Sequence, residues 1–159
     1  MQIRVIAVGK IKEHFLQDGI AEYEKRLRPY AKLQIVEIAD EKRPATVTAA
    51  IEKIAIEKEG DRICAAIPDH AYVVALDVKG IGWSSEELAG AFREWEIAGK
   101  SHIAFVVGGD LGLSPAVLSR CDFCLSLSKM TFTHPMARLL LLEQIYRAFR
   151  ILRGEPYHK

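Results

Sequence analysis

Gly108, Gly109 and Gly112 follow directly on the apolar run Ile103–Val107. Glycine reaches positive φ and lets a ligand approach the main chain, so such a loop at the end of a strand can hold a nucleotide. The spacing argues against the best-known versions. A dinucleotide fingerprint needs G-x-G-x-x-G in the first strand–helix unit and an acidic residue about twenty positions on. Here the pattern is G-G-x-x-G in the fourth unit, and Asp122 comes ten residues after Gly112. A phosphate loop would close on Gly-Lys-Ser or Gly-Lys-Thr, and this one closes on Gly112-Leu-Ser. On these residues alone, a structural turn remains open beside a ligand loop.

Arg138 is the second residue placed for chemistry. It shares a helical arc with Leu142, Ile145 and Phe149, in the middle of an apolar stripe. It also falls in the first helical turn, where the dipole disfavours a cation. An anion would explain it: an RNA phosphate, a deprotonated base or a cofactor carboxylate. A structural arginine would instead snorkel from the helix end or pair with a core carboxylate such as Asp77. His134 stands just before Pro135 at the helix start, where capping or orienting is its expected role.

Cys64, Cys121 and Cys124 make an odd number with no framework spacing. Cys121 and Cys124 lack the second pair that a zinc site requires, and they fall in an expected strand rather than at the helix start of a redox pair. Buried inert thiols are expected, and no metal.

The elements that must position these residues alternate. Strands are expected at Ile3–Val8, Leu33–Ile38, Tyr72–Asp77, Ile103–Val107 and Phe123–Leu127. Helices are expected over Lys12–Leu27 (Phe15, Leu16, Ile20, Tyr23 and Leu27 inward), from Pro44 to Pro68, from the Ser84-x-x-Glu87 capping box to Gly99, from Ser114 to Arg120, and from Pro135 to Arg153. In the second helix, Val47, Ile51 and Ile54 should face inward, with Gly60 a weak point. The alternation predicts one α/β domain over residues 1–159, a mainly parallel sheet covered on both faces, and ligands beyond the carboxyl ends of its strands.

Half the 159 residues are hydrophobic and the formal net charge is +1, so the whole chain is no electrostatic sponge for nucleic acid. Basic residues gather at both ends, with Lys25, Arg26 and Arg28 early and Arg147, Arg150 and Arg153 late, so that folding could join them in one patch. No apolar run approaches a membrane span and the start lacks signal-peptide character, so a cytoplasmic location is expected.

Several blocks together carry a resemblance: A-L-D-V-K-G with S-S-E-E-L-A, F-V-V-G-G-D-L-G-L-S, L-S-L-S-K-M-T-F-T-H-P-M-A-R, E-Q-I-Y-R-A, and the closing P-Y-H-K. In order and spacing the whole chain resembles the bacterial ribosomal RNA large subunit methyltransferase H family of the SPOUT superfamily. The resemblance implies a parallel-sheet sandwich whose C-terminal segment threads a preceding loop as a trefoil knot, a topology that general rules argue against. It implies S-adenosyl-L-methionine as cofactor, surrounded by Leu76, Gly108, Leu127, Ser128, Lys129, Met130, Thr131 and Phe132. It implies methylation of N3 of a pseudouridine in 23S ribosomal RNA within the ribosome or large subunit. Arg138, Tyr157 and His158 are its expected catalytic residues, Tyr157 stacking a base and His158 taking or sharing a proton. It implies a homodimer in which one subunit's tail completes the other's site. A nucleotide-binding enzyme of other chemistry, such as an NAD-dependent reductase, and a non-enzymatic ribosome-assembly factor remain as competing classes.

Overall fold

β-Branched and aromatic residues concentrate in Gln2–Val8 (β1), Lys32–Ile38 (β2), Tyr72–Gly82 (β3), His102–Val107 (β4) and Phe123–Ser126 (β5). In the computed structural model, which describes residues 1–159, these strands form one parallel sheet in the order β2-β1-β4-β3-β5. Between them run the helices His14–Leu27 (α1), Ala49–Ala66 (α2), Ser85–Ile97 (α3), Pro115–Arg120 (α4) and His134–Leu152 (α5). The expected α/β class and the covered parallel sheet are what the chain forms.

Strand alternation divides the core. Ile3, Val5, Ile103 and Phe105 point to the face covered by α1, α3 and α5, while Ile6, Val8, Ala104 and Val106 point to the face covered by α2 and α4. Phe92, Phe105 and Ile145 are at most 1 % exposed; such burial contributes about 1.5–3 kcal/mol for each side chain. α3 begins at the expected capping box, with Ser84 Oγ accepting from Glu87 N and the Glu87 carboxylate accepting from Ser84 N.

α2 departs from expectation at its start. It begins at Ala49 rather than Pro44, because Thr48 supplies an oxygen that accepts from Ile51 N, whereas Arg43 before the proline has no oxygen to cap a helix. Residues 39–48 therefore cross as an irregular strap. The buried face is also rotated: Ala55, Glu59, Gly60 and Ile63 are inside, while Val47 and Ile54 are exposed. Packing explains the rotation. A Cβ at Gly60 would lie 2.2 Å from Ser114 Oγ, so the glycine lets α2 close on the start of α4. On α1, Phe15 is exposed rather than inward, and Leu16, Ile20 and Leu27 carry the burial.

β3 runs past Asp77, and its pairing with β5 breaks between Leu76 and Ile81. The chain bows there, and Lys79 N donates to Asp77 Oδ1 at 2.8 Å. A Cβ at Gly80 would lie 2.6 Å from the Cys124 carbonyl oxygen. That bow shapes one wall of the site.

Candidate functional site

Beyond the carboxyl ends of β3, β4 and β5, three segments enclose a cavity of about 730 Å³, within the roughly 300–1,000 Å³ usual for small-molecule sites. They are Leu76–Val78, Val107–Leu113 and the stretch leading from Leu127 into α5. Leu76, Val107, Leu113, Leu127 and Phe132 give it apolar walls, and Glu13, Asp77 and Asp110 are its charged residues. No lysine or arginine lines it.

The glycine loop folds on itself to make its wall. Gly109 and Gly112 form an antiparallel bridge, with Gly112 N donating to Gly109 O at 3.1 Å. Gly112 has φ of 82°, which only glycine holds without strain. A Cβ at Gly108 would stand 3.1 Å from the Gly112 carbonyl and 3.0 Å from Leu113. Gly108 is thus required first by the closure of the loop.

Opposite, Ser126 Oγ donates to Ser128 O at 2.9 Å and Met130 N donates to Ser128 Oγ at 3.0 Å, fixing the turn after β5. Met130 and Phe132 are exposed at the mouth. Thr133 gives the following helix no side-chain cap, and Pro135 in its first turn carries no N–H, so the N–H groups of His134 and Met136 are left without a side-chain acceptor beside the cavity. Of the residues expected around a cofactor, Leu76, Gly108, Leu127, Ser128, Met130, Thr131 and Phe132 line the cavity. Lys129 is exposed and outside the lining.

Arg138 lies behind the wall, 2 % exposed. Its Nη2 donates to the Gly9 carbonyl at 2.9 Å, Nη1 stands 3.8 Å from Glu37 Oε1, and Nε is buried without a partner. The carboxylate facing it is thus Glu37, not Asp77. Burial lowers the pKa of the guanidinium, and Glu37 works against that.

His134, one turn earlier on α5, does line the cavity. Its ring packs on Gly9, where a Cβ would lie 3.0 Å from Cε1, and its Nδ1 is buried without a partner. Burial first, then the charge of Arg138, push its pKa below the ordinary histidine value, leaving a neutral imidazole near pH 7. The one-turn spacing to Arg138 puts both residues on the same side of the helix.

The tail is held elsewhere. Tyr157 Oη donates to Glu143 Oε1 at 3.0 Å and lies 3.2 Å from Tyr23 Oη. Burial, then these contacts, raise its pKa. His158 Nε2 is 2.8 Å from Glu86 Oε1, and its Nδ1 is 3.3 Å from Arg147 Nη1. Neither residue lines the cavity. Arg147 sits roughly 15 Å along α5 from Ala137 at the cavity edge, at about 1.5 Å per residue. The same packing brings the two basic ends together: Arg26 lies over the Tyr23 and Tyr146 rings, Arg147 over Tyr157, and Arg153 over Tyr30.

The cysteines are free, half-buried rather than fully buried as expected, and outside the cavity lining. Cys121 ends α4, its Sγ donating to the Val117 carbonyl, and burial pushes its pKa up to about 12. No cluster of three metal-ligating side chains exists.

Residues 1–158 match the family profile described as "Predicted SPOUT methyltransferase". The chain belongs to the SPOUT methyltransferase family. Full-length relatives within it are the ribosomal RNA large subunit methyltransferases H of Carboxydothermus hydrogenoformans, 53 % identical over 100 % of both chains, and of Clostridium acetobutylicum, 52 % identical over 100 % of both. A Methanoregula boonei protein that carries the same name provisionally is 64 % identical over 100 % of both chains. A methyltransferase-like protein of Bordetella pertussis Tohama I shares the fold, with a TM-score of 0.60 at 17 % identity over 93 % of this chain and 94 % of that one. No helix of this SPOUT chain is long and apolar enough to cross a membrane.

Proposed function

We propose that this SPOUT protein transfers a methyl group from S-adenosyl-L-methionine to N3 of a pseudouridine in 23S ribosomal RNA of the large subunit. The observation that carries the cofactor reading is the charge of the cavity. Its lining has Glu13 and Asp77, with Asp110 already paired to Arg43, and no cationic side chain, which suits a sulfonium and an ammonium group and opposes the pyrophosphate of a dinucleotide. Apolar walls suit the adenosyl part, and the uncapped N-terminus of α5 suits a carboxylate. The full-length likeness to relatives named for ribosomal RNA supports the substrate.

When bound, the cofactor supplies a methyl group that is already electrophilic. The chain's own residues position and shield. Leu76, Gly108, Leu127, Ser128, Met130, Thr131 and Phe132 would hold the cofactor, with Lys129 contributing main chain alone. His134, neutral and on the wall, is placed to accept the N3 proton. Arg138 is a positioning residue: it fixes Gly9 and His134, and its buried charge favours an anionic base nearby. The remaining members of the site, Tyr157 and His158, come in this proposal from a second copy in a homodimer. The family's trefoil knot is part of the same proposal, supported by the passage of the Leu127–Ala137 segment beside the Gly108–Gly112 loop at the cavity.

Two measurements test it. Calorimetric titration should give binding of S-adenosylmethionine and none of NAD. Ribosomes from a strain lacking the pseudouridine methylation should accept label from the methyl donor, whereas ribosomes already modified should not. Binding without transfer would favour a non-enzymatic assembly factor.

A further inference from the structure

Glu59 is a buried carboxylate that methyl transfer leaves without a role. It is 4 % exposed on α2. Its Oε1 accepts from Glu41 N at 2.9 Å, in the strap of residues 39–48, and its Oε2 is buried with no partner. That second oxygen backs the glycine loop: a Cβ at Gly109 would lie 3.5 Å from Glu59 Oε2 and 3.2 Å from Val8 Cγ1. The carboxyl is thus wedged between the strap and the loop that walls the cavity.

No cation neutralises it. Arg43 of the strap pairs with Asp110 of the loop, and Lys58 and Arg62 pair with Glu41. The charged groups that bear on Glu59 are Asp110 from the loop and Asp40 and Arg43 from the strap. Glu52 on α2 acts on Arg43, and His134 on α5 senses the same Asp110 and Asp40. A carboxylate ion here would be buried with one hydrogen bond and no ion-pair partner, and Asp110 and Asp40 would repel it, which is costly.

We infer that Glu59 is a positioning residue that joins the strap to α2 and supports the Gly108–Gly112 loop in its cofactor-binding shape, on the reading of the cavity as the S-adenosylmethionine site. Burial first, with Asp110 and Asp40 adding to it, raises the carboxyl pKa, while Glu41 N and Arg43 oppose. An acid whose pKa is raised on folding supports the folded loop below its ordinary pKa, and that support is lost as pH rises through the raised one. Ionised Glu59 would repel Asp110 and draw water beneath Gly109, so the loop and its ligand would loosen together.

The test is the S-adenosylmethionine affinity of wild type, Glu59→Gln and Glu59→Ala from about pH 5 to about pH 9, with amide exchange of residues 108–112 in the ligand-free protein. Glutamine keeps the shape and cannot ionise. Glu59→Gln should match wild type at the acid end and exceed it at least about threefold at the alkaline end, with loop exchange slowed to match. Glu59→Ala should bind more weakly throughout. Asp40→Asn, an exposed change, should shift the wild-type transition to lower pH and keeps the question decidable if the glutamine variant folds poorly. Equal pH profiles of wild type and Glu59→Gln, an unmoved transition in Asp40→Asn, or a Glu59→Gln protein weaker at every pH would overturn the inference. If wild type binds no S-adenosylmethionine at any pH, the cofactor reading fails, and the exchange data alone decide the role of Glu59.

Discussion

At the scale of single residues, the pair His134 and Arg138 concentrates the chemistry. Arg138→Lys keeps a charge but loses the fork that reaches Gly9 while facing Glu37. Methyl transfer should fall at least tenfold, about 1.4 kcal/mol, with cofactor affinity nearly unchanged. Arg138→Met with full turnover and a higher Tm would instead make the arginine a buried structural cation. His134 yields a pH prediction. Its folded pKa is depressed by burial, so the neutral ring contributes stability above the ordinary histidine pKa of about 6.5, and that contribution is lost as pH falls through the depressed value. Between about pH 7 and about pH 5, the Tm of wild type should drop further than that of His134→Asn. Parallel Tm curves for the two would remove the depressed titration.

At the scale of elements, two glycines on helices make opposite predictions. Gly60 is where α2 presses on α4, and its missing Cβ would meet Ser114 Oγ at 2.2 Å and Ser114 Cβ at 2.9 Å. Ser114 is buried, and its hydroxyl caps α4 by accepting from Val117 N. Gly60→Ala should therefore destabilise by about 1–3 kcal/mol, read by urea unfolding. Gly90 on α3 has nothing within 4 Å of a Cβ. Gly90→Ala should stabilise by about 0.5–1 kcal/mol, because glycine loses more backbone freedom in a helix. Two stabilising shifts would mean that helix propensity, rather than packing, governs both positions, and a destabilising Gly90→Ala would remove the propensity argument.

At the scale of the whole molecule, the separation of the tail from the cavity is decisive. Tyr157 and His158 are tied to Glu143, Arg147 and Glu86 within one chain, so one copy does not join them to its own glycine loop. A shared site predicts complementation. One copy would carry Tyr157→Ala with His158→Ala, and the other Gly108→Val, whose side chain would collide with Gly112 and Leu113. Each homodimer should be inactive, and the heterodimer should recover near half the wild-type rate. No recovery, or a monomer by sedimentation, would show that the tail serves only the packing of α5.

What the sequence determined on its own was the local and the periodic. The strand–helix alternation, the Ser84 capping box, the short helix ending at Arg120 and the glycine turn after β4 depend on neighbours a few residues away, and they appear as expected. The motif blocks carried the family in the same way. α2 starts at Ala49 rather than Pro44 because the Thr48 side chain supplies the capping oxygen that the residue before the proline lacks. What only tertiary structure decided involves partners far along the chain. Glu37 rather than Asp77 faces Arg138 because strand order brings β2 beside β1, beyond whose end Arg138 reaches the Gly9 carbonyl. Gly60, weak by propensity, is essential by contact with Ser114. Glu59 carries no signal in the sequence, and only packing places it beneath Gly109, since burial is a property of what surrounds a residue and not of the residue itself.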